Sequence, residues 1–112
     1  MSVQGLASCT SAIKAFGTKM ASISNNVANS QSVEYKKGRV LFMEDDNKQG
    51  VKIDFTRIDT PGYLSLSGEE LSNVDLAEEF SSMIITSLGF AANVKMAGAI
   101  DEMTGTLIDI AE

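Results

Sequence analysis

The sequence predicts a mainly α fold in which long N- and C-terminal helices pair as an antiparallel coiled coil, with a small β-hairpin between them. Three observations predict it. Leu6, Cys9, Ile13, Phe16, Met20, Ile23 and Val27 recur at alternating three- and four-residue steps, keeping a seven-residue repeat over three heptads; this is a seam for a partner helix, narrower than the face of an ordinary globular helix. Val51, Ile53 and Phe55 alternate with Lys52, Asp54 and Thr56, the two-residue period of a strand. Charge is divided, with +2 on residues 1–33, balance over 34–59 and −8 on 60–112. Opposite signs favour pairing the two helices over pairing the acidic one with itself.

The first helix reads from about Val3 to Asn29 and would span roughly 40 Å at the α-helical rise. Asn29 and Ser30 mark its end, because asparagine tolerates a left-handed cap. Just before them, Asn25 and Asn26 are either polar residues of a fraying last turn or amides that fix register between packed helices. Arg39–Met43 is rich in β-formers and Asp45–Gly50 is a turn cluster, so a hairpin is expected that must pack on a helix or on a neighbouring subunit, since two strands alone are marginal in water. Thr60-Pro61-Gly62-Tyr63 reads as a turn and Ser65–Glu70 as a polar linker.

The second helix is expected to start with Ser72 as N-cap and Asp75 at the third helical position, with Glu78 and Glu79 near the positive end of the helix dipole. Leu76, Phe80, Met83, Ile84, Phe90, Ala91 and Val94 share one face, whereas Met96, Ile100, Met103, Leu107 and Ile110 cluster on nearly the opposite one. A distal end that is apolar on both sides has to be covered on both, which one partner helix cannot do. Gly98 and Gly105 lie inside this helix, where glycine costs about 1 kcal/mol relative to alanine; close approach of a neighbouring backbone and local flexibility are both open readings. Methionines 83, 96 and 103 read as adaptable packing.

At 112 residues the chain is one domain in three parts, 1–33, 34–71 and 72–112. With no histidine and one cysteine, it lacks the usual ligands for zinc and the groups of a His-based triad; no cofactor, metal or catalytic residue is expected. Cys9 lies on the apolar stripe and reads as a small buried hydrophobe. A carboxylate enzyme using Asp75, Glu78 and Glu79 is set aside because the helix start already explains those acids. Nucleic acid is excluded as a partner by the lack of a basic stripe. Polar residues interrupt the N-terminal segment at every turn, so neither a signal peptide nor membrane insertion is expected.

Two runs carry a resemblance. Ser24-Asn25-Asn26-Val27-Ala28-Asn29, with Gly5-Leu6 before it and Tyr35-Lys36 after it, resembles the N-terminal signature of the bacterial flagellar rod and hook proteins. The run from Ser72 through Asn73, Asp75, Leu76 and Glu79 to Phe80, followed by Met83-Ile84, Phe90, Ala92-Asn93 and Asp101-Glu102-Met103, resembles that family's second signature. Family members often carry Gly-Tyr or Gly-Phe where this chain has Glu34-Tyr35, and a polar or Arg pair where it has Leu88-Gly89 before Phe90. The short middle region is closest to the compact proximal-rod type (FlgC-like) or a rod-like paralogue.

The resemblance implies a structural subunit of the flagellar basal-body rod. Its terminal helices would line a tube as a coiled coil, and its partners would be other rod and hook axial subunits, copies of itself and the flagellar type III export apparatus. It would reach the periplasmic rod without a cleavable signal peptide and serve flagellum-dependent motility. The assembly interface expected on this reading comprises Leu6, Ile13, Phe16, Met20, Ile23, Asn25, Asn26, Val27 and Asn29 on the first helix. On the C-terminal side it comprises Asn73, Leu76, Phe80, Met83, Phe90, Asn93, Val94, Ile100, Met103, Leu107 and Ile110. The alternative from another class is a soluble helical-hairpin adaptor or export chaperone, which would form a discrete dimer or one-to-one complex instead of an open-ended assembly. With apolar stripes beyond what the middle region can cover, the terminal helices are expected to be poorly ordered in dilute monomer and to firm up with partners.

Overall fold

A computed structural model describes residues 2–111. The chain is two long helices and one hairpin: α1 (Ser2–Ala28), β1 (Gly38–Glu44), β2 (Val51–Arg57) and α2 (Leu76–Ala111). It is a rod of 74 × 25 × 14 Å. The helices touch at Asn26 and Glu79, at Phe16 and Gly89, and at Gly5 and Ile100, so successive contacts climb α2 as they descend α1.

The hairpin lies on another flank of α1. Its strands pair antiparallel from Gly38↔Arg57 to Glu44↔Val51, close to the expected limits. Val40, Phe42, Ile53 and Phe55 share one face by strand alternation. Val40 is buried, and Phe42 meets Phe16 edge-to-face at 4.8 Å between ring centroids. At the turn, Asp45 Oδ1 accepts from Asn47 N at 3.2 Å and Gly50 takes φ 82°. Here the hairpin docks: the Ser11 hydroxyl accepts from Val51 N at 3.0 Å, and a Cβ on Gly50 would sit 2.3 Å from that oxygen. At the other end, Gly38 approaches Ser22.

Because α1 is covered from two sides, its buried line is not the expected one. Cys9, Ala12, Ala15, Ile23 and Asn26 are buried, whereas Leu6 is exposed and Ile13, Phe16, Met20 and Val27 are partly buried. Burial has moved toward the small residues between the two packed elements. The helix end also differs from expectation. Asn29 does not enter the left-handed region; its backbone N–H and its side-chain amide both donate to the Asn25 carbonyl, at 3.1 and 2.9 Å.

The connection from β2 to α2 is more ordered than a polar linker. Leu64 bridges Glu70, Leu71 N donates to Tyr63 O at 2.7 Å, and Gly68 closes the turn at φ 89°. Gly62 is required there, since a Cβ would fall 1.9 Å from the Leu71 carbonyl oxygen. The start of α2 lies three residues later than a Ser72 cap would place it. The Ser72 hydroxyl accepts from Val74 N in a local turn, whereas Asp75 Oδ1 accepts from Ala77 N at 3.0 Å and Asp75 O accepts from Glu79 N. Asp75 is therefore the N-cap.

Candidate assembly interface

The end where α1 stops and α2 begins is held by polar groups. Asn26, 1% exposed, uses its whole amide: Nδ2 donates to Gly38 O at 3.0 Å and to Glu79 Oε1 at 2.8 Å. Its Oδ1 accepts from Gly38 N and from the Tyr35 hydroxyl, each at 2.9 Å. Glu79, with no exposed surface, receives both arms of Arg39, NH1 at 3.3 Å and NH2 at 3.0 Å. Arg39 also pairs with Glu78, which Lys37 approaches at 3.6 Å. Burial works against the charge on Arg39, but hydrogen bonds and attraction from Glu79 and Glu78 outweigh it and hold the guanidinium pKa above its ordinary value. A buried carboxylate is tolerable only when so paired. Glu78 and Glu79 thus serve the hairpin as well as the helix dipole.

The other asparagines of the two signatures also act within the chain. Asn73 Oδ1 accepts from Lys37 N at 2.7 Å, and its Nδ2 donates to Ile58 O at 2.8 Å and to Thr60. It ties the start of α2 to the residues flanking both strands at the open end of the hairpin. Asn25 is exposed and donates to the Tyr35 hydroxyl at 3.3 Å, while Asn93 donates to Gly89 O of its own helix at 2.9 Å.

Along α2 the line turned to α1 is mostly polar or small, with Met83 and Ile100 its large apolar members. Glu79 and Thr86 are its buried residues, and Ser82, Met83, Gly89, Asn93, Ala97, Ile100 and Thr104 are partly buried. Gly89 is the notch for Phe16, whose ring would lie 2.5 Å from a Cβ at that position. The other large apolar residues point elsewhere. Leu76, Phe80, Phe90 and Val94 are exposed on the proximal half, with Ile84 63% and Leu88 66% exposed. Distally, Met96, Met103 and Ile108 are exposed, as are Leu107 at 60% and Ile110 at 76%. Of the α2 residues expected at the interface, only Met83, Asn93 and Ile100 are partly covered by the chain itself.

Among the described residues, and apart from the adjoining backbone of α2 itself, no atom lies within 4 Å of a Cβ built on Gly98 or Gly105, so neither glycine is explained by a close approach between these elements. By length and composition α2 is also apolar enough to cross a membrane. Sequence reasoning missed the Arg39–Glu79 pair and the Phe16–Gly89 fit. A signal for the second was present, as a glycine inside a helix, whereas the helix start already accounted for Glu79, and both partners are distant in the chain.

Comparison with known proteins follows the same residues. A family model described as the flagellar basal body rod FlgEFG protein C-terminal region matches residues 61–110, the loop before α2 and nearly all of that helix. The flagellar hook protein FlgE of Borreliella burgdorferi is 37% identical over 73 residues, covering 65% of this chain and 16% of that protein. FlgE of Treponema pallidum is 32% identical over 75 residues, covering 67% of this chain and 16% of that protein. The chain therefore spans about one sixth of the length of these curated relatives. These matches show that the chain is similar in sequence to the flagellar basal-body rod and hook protein family, the family model lying on the loop before α2 and on that helix.

Proposed function

We propose that this chain is a structural, non-enzymatic subunit of the flagellar axial structure, assembling through the exposed faces of its terminal helices. The observation that carries the reading is the inverted burial of α2, with its mostly polar line against α1 and its other large apolar residues outside. Apolar surface on this scale is buried by association, and residues apolar on more than one side call for several neighbours. Heterologous contacts that do not close pairwise build tubes and filaments. Within the subunit the helices pair as an antiparallel coiled coil; the contacts of Asn26 with Glu79, Phe16 with Gly89 and Gly5 with Ile100 support this.

Among axial proteins we favour the proximal rod over the hook, because the segment between the helices is one hairpin and one loop. On that reading the subunit reaches the periplasmic rod by flagellar type III export, its neighbours are rod and hook subunits and copies of itself, and it serves motility. The test is a deletion strain complemented with wild-type or Leu107→Asp protein, with basal bodies imaged by electron cryotomography. Complete rods with wild type and truncated rods with the variant are expected. Intact rods and swimming in the deletion strain itself, or flotation of the purified chain with liposomes and no binding to axial subunits, would overturn the reading.

A further inference from the structure

The line of α2 that meets α1 gives apolar burial little with which to choose a register: Glu79, Ser82, Met83, Thr86, Gly89, Asn93 and Ala97 precede Ile100, and of these only Met83 is a large apolar residue. Helices with heptad spacing present the same face again after a slide of seven residues. Such a slide would bring Leu107 opposite Gly5 in place of Ile100, exchanging one apolar contact for another. Two other contacts would not survive it. Met96 would replace Gly89 beneath Phe16, where even a Cβ falls 2.5 Å from the ring, and Thr86 would replace Glu79 beside Asn26 and Arg39.

We infer that the Asn26–Arg39–Glu79 clamp, assisted by the Gly89 notch, sets the register of α1 on α2. A buried ion pair adds little net stability compared with apolar side chains of the same size, but it penalises any arrangement that leaves one member unpaired. Each group here is matched: the amide of Asn26 reaches one carboxylate oxygen and Arg39 reaches both. Register matters because it decides how far the apolar end of α2 projects past the start of α1. The clamp presupposes the helix pairing proposed above, and a disulfide experiment separates the two.

In a Cys9→Ala background, Gly5→Cys is combined with Ile100→Cys to report the native register or with Leu107→Cys to report the slid one. Intrachain disulfides are quantified by mass spectrometry under mild oxidation in dilute protein. With the clamp intact, the 5–100 product is expected to dominate. In Asn26→Leu/Arg39→Met/Glu79→Leu its ratio to the 5–107 product is expected to fall at least about tenfold, a modest outcome for removing a buried, paired carboxylate. Should that variant lose its helical signal, Glu79→Gln replaces it, with a fall in the same ratio expected. An unchanged ratio in the folded variant overturns the clamp alone, leaving the Gly89 notch and the Asn73 tether to set register. Absence of the 5–100 product with the clamp intact overturns the pairing and the clamp together.

Discussion

Glu34 holds φ at 61° while its N–H donates to Glu70 O at 2.9 Å. A side chain in the left-handed region costs about 1–2 kcal/mol, which gives physical content to the Gly-aromatic pair that the resemblance leads one to expect here. Glu34→Gly should raise stability by about 0.5–1 kcal/mol after the greater freedom of glycine in the unfolded chain is subtracted, read as a higher urea midpoint at unchanged slope. Gly89 makes the opposite case. Gly89→Ala drives a methyl against the Phe16 ring and should cost about 1–3 kcal/mol in the same titration. The sequence marked both positions as departures from the family pattern, but only the fold supplies the reasons, because Phe16 and Gly89 meet across the whole middle of the chain. The two readings of Asn25 and Asn26 divide between them. One residue along a helix is a turn of 100°, which puts Asn26 inside and Asn25 in solvent.

At the scale of elements, hydrophobic period and turn chemistry located both helices and both strands to within a few residues. The start of α2 was misplaced because Ser72 and Asp75 are both competent caps, and the choice depends on where Asn73 is pulled by Lys37 and Ile58. Asp75→Ala should therefore cost about 1 kcal/mol of stability, whereas Ser72→Ala should leave the helix limit unchanged; amide hydrogen exchange at Ala77 and Glu78 distinguishes them. The loop before α2 has its own pH dependence. The Lys36 ammonium and, secondly, the Gly62 N–H hold the Glu70 carboxyl below its ordinary pKa. A depressed folded-state pKa means that this contribution is fully present above the ordinary glutamate value and is lost as the pH falls through the lowered one. Gly62 and Leu71 amides should lose protection over that acidic window, and Lys36→Met should move the loss to higher pH.

For the molecule as a whole, the sequence made legible that α2 has more apolar surface than one helix can cover. It did not disclose which side faces α1. Hydrophobic period predicts that apolar stripes pack first, but here the clamp at Asn26, Arg39 and Glu79 and the notch at Gly89 hold the phase, and the stripes of α2 face outward. Phe16 and Leu107, alike as stripe residues, consequently part ways. Phe16→Asp should cost about 2–4 kcal/mol by disrupting its packing on Phe42 and Gly89, whereas Leu107→Asp should change monomer stability by less than about 0.5 kcal/mol while abolishing association. Thermal unfolding of the two variants beside an assembly assay resolves the difference. The central claim, that neighbours bury the outer faces of α2, is tested most directly by light scattering of the purified chain over a range of concentrations, alone and mixed with rod and hook subunits. Growing, open-ended association that Leu107→Asp eliminates is the expected result; a monodisperse particle of fixed mass under every condition would contradict it.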